Sequence, residues 1–273
     1  MIENRQAFSS YMTHLLSTGR IVFSREEAHQ ALGVSHGALL DAAERQQRKG
    51  HLLNPRRGFY VIIPPQYLAL GAPPPSWYVD DLMRHEGRPY YVSLLKAAEL
   101  HGATHQAVME FQVITDIRLP KIRAGRSAIV FYYRKAMAAV DEGIEDRQTD
   151  TGHMRISCVE LTVLDLIRYP RAAGGLDNVA TIIADLGDRI DPGKLAVLSS
   201  AFERSVSQRL GYLLERSGHI QRSKRLHKTL SQNNLSLPWV ELEPRQADPG
   251  SLVPQERNER WHVIVRRLPE VDE

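Results

Sequence analysis

From position 4 to position 17, apolar residues recur every three or four places. Ala7, Phe8, Tyr11, Met12, Leu15 and Leu16 would form one face of an amphipathic helix. Ile21-Val22-Phe23 is short enough for a strand, and Ser24-Arg25-Glu26-Glu27 has the spacing of a capping box, so a helix should open at Arg25. Ala28, Ala31 and Leu32 continue it, Gly33-Val34 breaks the run, and Ser35 can cap a second helix from His36 to about Lys49. Gly50 supplies the stop. Leu52-Leu53 then leads into the basic turn Asn54-Pro55-Arg56-Arg57-Gly58, and Phe59-Tyr60-Val61-Ile62-Ile63 has strand composition. Helix, turn, helix and a basic hairpin predict a winged helix-turn-helix over residues 1–63.

Pro64-Pro65 and Gly71-Ala72-Pro73-Pro74-Pro75 remove amide donors and fix φ, so residues 64–76 read as a Pro-rich linker. A second domain, 77–273, should follow. Trp77, Tyr78, Leu82 and Met83 suggest a short helix. Tyr90-Tyr91-Val92-Ser93 leads into a small-residue helix through Leu100 that Gly102 ends. Strands are expected over 111–115 and 129–133, separated by a basic loop carrying Arg118, Lys121, Arg123 and Arg126, with a further strand near 154–156. Ser157-Cys158-Val159-Glu160 repeats the capping-box spacing ahead of an apolar helix. Helices over 176–186, 194–202, 206–216 and near 224–230 complete the run, and strands over 239–242 and 261–265 close it. The fold class expected is α/β of the α+β kind: a winged helix-turn-helix, then a larger mixed α/β domain with a sheet packed against helices.

Length and composition fit that picture. The chain has 273 residues, 42% of them hydrophobic, enough for two cores. Its net charge is only +3, with a pI near 9.0, so a nucleic-acid footprint must come from local clusters. The single cysteine, Cys158, makes no intramolecular disulfide and no Cys-rich zinc site; in the first turn of an apolar helix it reads as a small core residue. No apolar run nears the roughly 20 residues that span a bilayer. Met1-Ile2-Glu3-Asn4 does not begin a basic-then-apolar leader. The expectation is a cytoplasmic protein with no membrane partner.

Signatures of catalysis are missing. The chain has no Walker-type phosphate loop, no Gly-x-Gly-x-x-Gly after a strand and no Gly-x-Ser-x-Gly elbow. Gly174-Gly175 is similar to a nucleotidyltransferase opening, but Asp177 leads into an alanine-bearing helical pattern without paired carboxylates. Glu241 and Glu243 lack the lysine of a nuclease site. His101 and His105 stand four apart, yet Gly102 lies between them and no Glu follows His101. Neither an enzyme nor a cofactor nor a metal site is expected.

The candidate chemistry is recognition. Ser35 and His36 stand at the N-terminus of the second helix of the pair, the end that enters a major groove, and can meet bases or phosphates. Arg45, Arg48 and Lys49 farther along, and Arg56 and Arg57 in the wing, are candidates for phosphate contact. Asp41 and Glu44 oppose it, and a capped, solvated helix is the plain alternative. In the second domain, Arg222, Lys224, Arg225 and Lys228 could meet nucleic acid or an acidic partner, or form a solvated face.

Several segments carry a family likeness: Leu32-Gly33-Val34-Ser35, Arg57-Gly58-Phe59-Tyr60, Tyr90-Tyr91-Val92-Ser93-Leu94-Leu95, Leu100-His101-Gly102-Ala103, Phe111-Gln112-Val113-Ile114-Thr115, Glu160-Leu161-Thr162-Val163-Leu164-Asp165-Leu166 and Gly174-Gly175-Leu176-Asp177-Asn178. In these the chain resembles the type IV abortive-infection antitoxins and related transcriptional regulators, the AbiEi family. The resemblance implies a DNA-binding autorepressor acting on inverted repeats in its own promoter. It also implies an antitoxin domain that counteracts a nucleotidyltransferase-like toxin, whether or not the two bind directly. Tyr90, Tyr91, Ser93 and His101 are then candidates for partner or nucleic-acid contact. The other reading left open is a winged-helix regulator whose C-terminal domain senses a small ligand and has no toxin partner.

Overall fold

The computed structural model describes residues 2–103, 108–231, 236–243 and 253–271, with side chains from Ala7 onward. The chain opens with α1 (Ile2–Ser17), β1 (Val22–Ser24), α2 (Arg25–Leu32), α3 (His36–Arg48), β2 (Leu52–Arg56) and β3 (Phe59–Ile62). Next come α4 (Val79–Glu86), β4 (Tyr90–Val92), α5 (Leu94–Leu100), β5 (Glu110–Thr115), β6 (Ile122–Ala124), β7 (Ser127–Tyr133), β8 (Ile144–Thr149) and β9 (Gly152–Ser157). The helices α6 (Val159–Arg168), α7 (Leu176–Leu186), α8 (Pro192–Ser199), α9 (Arg204–Arg216) and α10 (Ile220–Ser231) lead to β10 (Val240–Glu241), β11 (Glu256–Asn258) and β12 (Val263–Val265).

Two compact units interleave along the sequence. The first takes residues 1–91, 109–135 and 146–155, and the second 92–108, 136–145 and 156–273. Within the first, Phe8, Met12 and Leu15 of α1 pack with Ala28, Leu39, Ala42 and Ala43 of α2 and α3 and with Phe23, Leu52, Tyr60 and Ile62 of the strands. Phe23 stacks on Tyr60 with ring centres 5.2 Å apart and meets Phe8 and Tyr11 edge-on. Burying a side chain of this size stabilises by about 1.5–3 kcal/mol, which is what fixes three short helices onto three short strands. The strands form an antiparallel sheet in the order β1-β3-β2, with Val22 opposite Val61 and Leu52 opposite Ile62. Helix, strand, two helices and a hairpin is the element order expected of a winged helix-turn-helix.

The Pro-rich stretch after it is packed into this unit. It forms two short 3-10 turns, Pro65–Leu70 and Pro75–Trp77. Gly125, at φ +57 in the tight turn between β6 and β7, lies so close to the first that a Cβ would come within 2.1 Å of the Leu70 carbonyl. Only glycine fits there. Most of a six-stranded sheet, ordered β6-β7-β5-β4-β9-β8, also belongs to this unit. In it β5 runs parallel to β7 over six residue pairs while β6 turns back antiparallel. The basic loop expected between β5 and β7 thus contains a strand, because Ile122 and Ala124 point inward and Arg123 outward. Three residues are too few to show that alternation in sequence.

In the second unit α6 is buried along nearly its whole length and contacts α5, α7, α8 and α9. A small sheet, β10-β12-β11, packs on α9. Trp261, fully buried, lies across Gly211 of α9, where an added Cβ would stand 2.1 Å from the indole ring. Gln208, one turn earlier, donates to the Trp261 carbonyl at 2.9 Å. Strands β8 and β11 were not foreseen, since their residues, Ile144 to Thr149 and Glu256 to Asn258, are mostly polar.

Candidate nucleic-acid interface

Local chemistry sets the geometry of α2 and α3. Ser24 Oγ accepts from the Glu27 amide at 3.0 Å and Ser35 Oγ from the Ala38 amide at 3.3 Å, so both helices begin where the spacing predicts. The Glu27 carboxylate holds Arg20 at 2.7 Å, so it does not return to Ser24 as a full capping box would. Gly33 adopts φ +61 and donates its amide to the His29 carbonyl at 3.0 Å, which closes α2 and sets the angle of the turn. His29 and His36 stack across that turn, centroids 4.2 Å apart and planes 15° apart. Sequence reasoning missed this pair, which joins two helices through the first residue of α3.

Leu39, Ala42 and Ala43 bury the inner face of α3. His36, Gly37, Leu40, Asp41, Glu44, Gln47 and Arg48 face solvent, as does Lys49 just beyond, and Arg45 is half-buried. Leu40 is 42% exposed, a large apolar side chain on an otherwise polar face. Arg48 is paired with Glu44 one turn back, an exposed contact of about 0–1 kcal/mol that a phosphate can displace.

The two wing arginines differ. Arg57 is exposed at the hairpin turn. Arg56 is turned into its own unit: Nε donates to Glu86 at 2.8 Å, an Nη to the Pro120 carbonyl at 2.7 Å, and the guanidinium lies 5.5 Å from the Phe131 ring centre. Adjacent arginines look equivalent in sequence, but Arg56 is the last residue of β2 and Arg57 lies in the turn beyond it.

Of the remaining candidates, Tyr90 and Tyr91 are buried in the first unit. The Tyr90 hydroxyl donates to Asp80 at 3.0 Å and accepts from the Arg155 amide at 3.1 Å, and burial is the main reason its phenol is held well above the usual range. Ser93 is fully buried in the second unit, where it donates to Asp165 at 2.9 Å and accepts from Ser157 at 3.2 Å. The Ser157 and Thr162 hydroxyls stand 2.7 Å apart. Next to Ser93, Leu94 is also fully buried at φ +59, a left-handed conformation that costs on the order of 1 kcal/mol for a residue with a Cβ. His101 Nε2 lies 2.8 Å from the Ser157 carbonyl. His105 lies outside the described residues.

At α6 the expected cap takes another form. Cys158 occupies the N-cap position without a side-chain cap hydrogen bond, and Glu160 accepts from the Asp191 amide at 2.7 Å. Burial pushes the Cys158 thiol up to about 12, in keeping with a small core residue. On α10, Lys224, Arg225 and Lys228 are exposed, while Arg222 donates to the Asp188 carbonyl at 2.8 Å. The helix carries no acidic residue. Among the described residues, no helix is long and apolar enough to cross a membrane.

Residues 91–216 match the family model described as the AbiEi antitoxin C-terminal domain. This stretch is similar to an AbiEi antitoxin domain. The buried Ser93, Ser157, Thr162 and Asp165 all fall inside that domain, as do His101 and α5 to α9. The match agrees with the resemblance read from the residues and supports an antitoxin of a toxin–antitoxin system. A similar fold is found in the crystal structure of the RV2827C protein from Mycobacterium tuberculosis, with a TM-score of 0.66 and 19% identity over 95% of this chain and 91% of that one. No curated protein matches the chain significantly.

Proposed function

We propose that the chain is a cytoplasmic, DNA-binding autorepressor and the antitoxin of a type IV toxin–antitoxin system, countering a nucleotidyltransferase-like toxin without catalysis of its own. The exposed outer face of α3 carries the DNA half of this reading. An α-helix fits the major groove, and here its N-terminus offers Ser35 and His36 to bases or phosphates, with Leu40 suited to a thymine methyl group. Arg45, Arg48 and Lys49 toward its other end, and Arg57 in the wing, would meet phosphates. Arg56 is left out because its guanidinium is already engaged. The antitoxin half rests on the AbiEi domain. Lys224, Arg225 and Lys228 of α10 form the exposed surface best suited to an acidic or nucleic-acid partner, whereas Tyr90, Tyr91, Ser93 and His101 act inside the fold.

In this reading, residues 1–63 recognise DNA and residues 77–273 carry the antitoxin function, with 64–76 joining them. The compact units follow another partition, so full-length variants test this assignment better than fragments. A gel shift with duplex from the chain's own promoter decides the DNA half: salt-sensitive binding to inverted repeats, with scrambled duplex bound at least a hundredfold more weakly. Equal affinity for both duplexes would refute operator recognition.

A further inference from the structure

Between α1, the last turn of α3 and the end of β3 lies a cleft of about 350 Å³, within the size range of small-molecule sites. Its apolar lining comprises the buried Met12 and Ile62, the half-buried Leu16 and, at the exposed edge, Leu68. Its rim is polar and consists of Ser9, Thr13, Gln46, Lys49 and His51, with no carboxylate among the lining residues. Hydrogen bonding within the rim is directional. Gln46 Nε2 donates to Ser9 Oγ at 3.0 Å, and Gln46 Oε1 lies 3.3 Å from His51 Nδ1. The Gln46 amide is thereby used on its neighbours, and among the described residues no acceptor takes the Ser9 hydroxyl hydrogen. Lys49, exposed at the end of α3, joins no ion pair among the described residues. An apolar lining beneath a hydroxyl donor and an uncompensated ammonium selects a molecule with a hydrocarbon body and a single anionic head.

We propose that this cleft is a binding site for a small apolar carboxylate, its tail on Met12, Leu16, Ile62 and Leu68 and its carboxylate on Lys49 and Ser9. The site requires nothing of DNA. A consequence that does rest on the DNA-binding reading is that a bound carboxylate withdraws Lys49 from the phosphates, so the ligand would weaken operator binding.

Calorimetry on the full-length protein tests the site, with octanoate as probe and octanol as the uncharged control. Octanoate should bind with one-to-one stoichiometry and at least tenfold more tightly than octanol. Lys49→Gln should remove that preference. Thr13→Trp, at an exposed position on the rim, should fill the cleft and abolish binding of both. Octanoate binding no tighter than octanol, binding unchanged in both variants, or several molecules bound per chain as for a surfactant would each overturn the site. So would a doubled mass in sedimentation that T13W reverses, which would make a second copy the occupant. A gel shift with and without octanoate tests the coupling separately, expecting a several-fold loss of affinity and a shallower salt dependence. Calorimetric binding without that loss would leave the site in place and refute only the coupling.

Discussion

Helices α3 and α6 both follow a serine at capping distance, and only α3 uses it as a cap. At α3, Ser35 Oγ takes the Ala38 amide, one apolar stripe faces the core, and the rest of the helix is left to solvent. At α6, Ser157 turns to Ser93 and Thr162, Glu160 takes a distant amide, and the helix is buried from Val159 to Ile167. The same short pattern thus serves one helix as a local stop signal and the other as part of a core. What separates them is the neighbouring sequence: α3 reads HGALLDAAERQQR, with only one apolar stripe, and α6 reads VELTVLDLIR, apolar at all but Glu160, Thr162, Asp165 and Arg168. Polar side chains inside an apolar helix must find partners, and Thr162 and Asp165 find theirs on Ser157 and Ser93.

The largest expected effect lies at that buried network. Asp165→Ala leaves the Ser93 hydroxyl without its acceptor in a fully buried site and should cost about 3 kcal/mol, whereas Ser35→Ala should cost about 1 kcal/mol. Urea denaturation followed by circular dichroism compares them. Equal losses would mean that the two serine-led helix starts are energetically alike after all.

A second contrast, smaller in energy, sets Arg56 against Arg57. Arg56→Ala removes a half-buried ion pair and a ring contact and should lower stability by about 1–2 kcal/mol. Arg57→Ala should change stability by less than about 0.5 kcal/mol while reducing the salt slope of DNA binding by about 0.9. Melting curves and salt-dependent gel shifts on both variants measure this, and the reverse pattern would overturn the assignment of the wing.

The smallest effect concerns Asp177 at the start of α7. Hydrogen bonds from Arg267, chiefly, hold its carboxyl below the ordinary aspartate value of 3.8. A depressed folded value stabilises at pH above 3.8 and is lost as pH falls through the lower folded value. Asp177 is nearly half exposed, so solvent screens the contribution. Arg267→Gln should therefore lower stability slightly at neutral pH and not at all at the acid end, as a pH series of denaturation midpoints would show.

Much of this was legible in the sequence because it rests on local rules. Ser24, Gly33, Ser35 and Gly50 mark the α2–α3 boundaries through caps and left-handed turns that four or five residues specify. The helices α7 and α9 follow their apolar periods closely. Less legible were features decided by distant residues. Arg56 is claimed by Glu86, 30 positions on, and Pro120, 64 positions on. His36 meets His29 only after Gly33 turns the chain. Ser93 reads as a contact candidate from its motif, and its acceptor, Asp165, stands 72 residues away.

The fit of Trp261 over Gly211 has a consequence for how the protein is made. Fifty residues separate the two, from 211 to 261, so a ribosome adding ~5–20 residues per second needs roughly 3–10 s to supply the indole after the helix backbone that receives it. Throughout that interval the face of α9 that Trp261 later covers stays open to water and to chaperones. For the antitoxin role proposed above, which would begin only once the chain is folded, those seconds are a delay written into the order of its own residues.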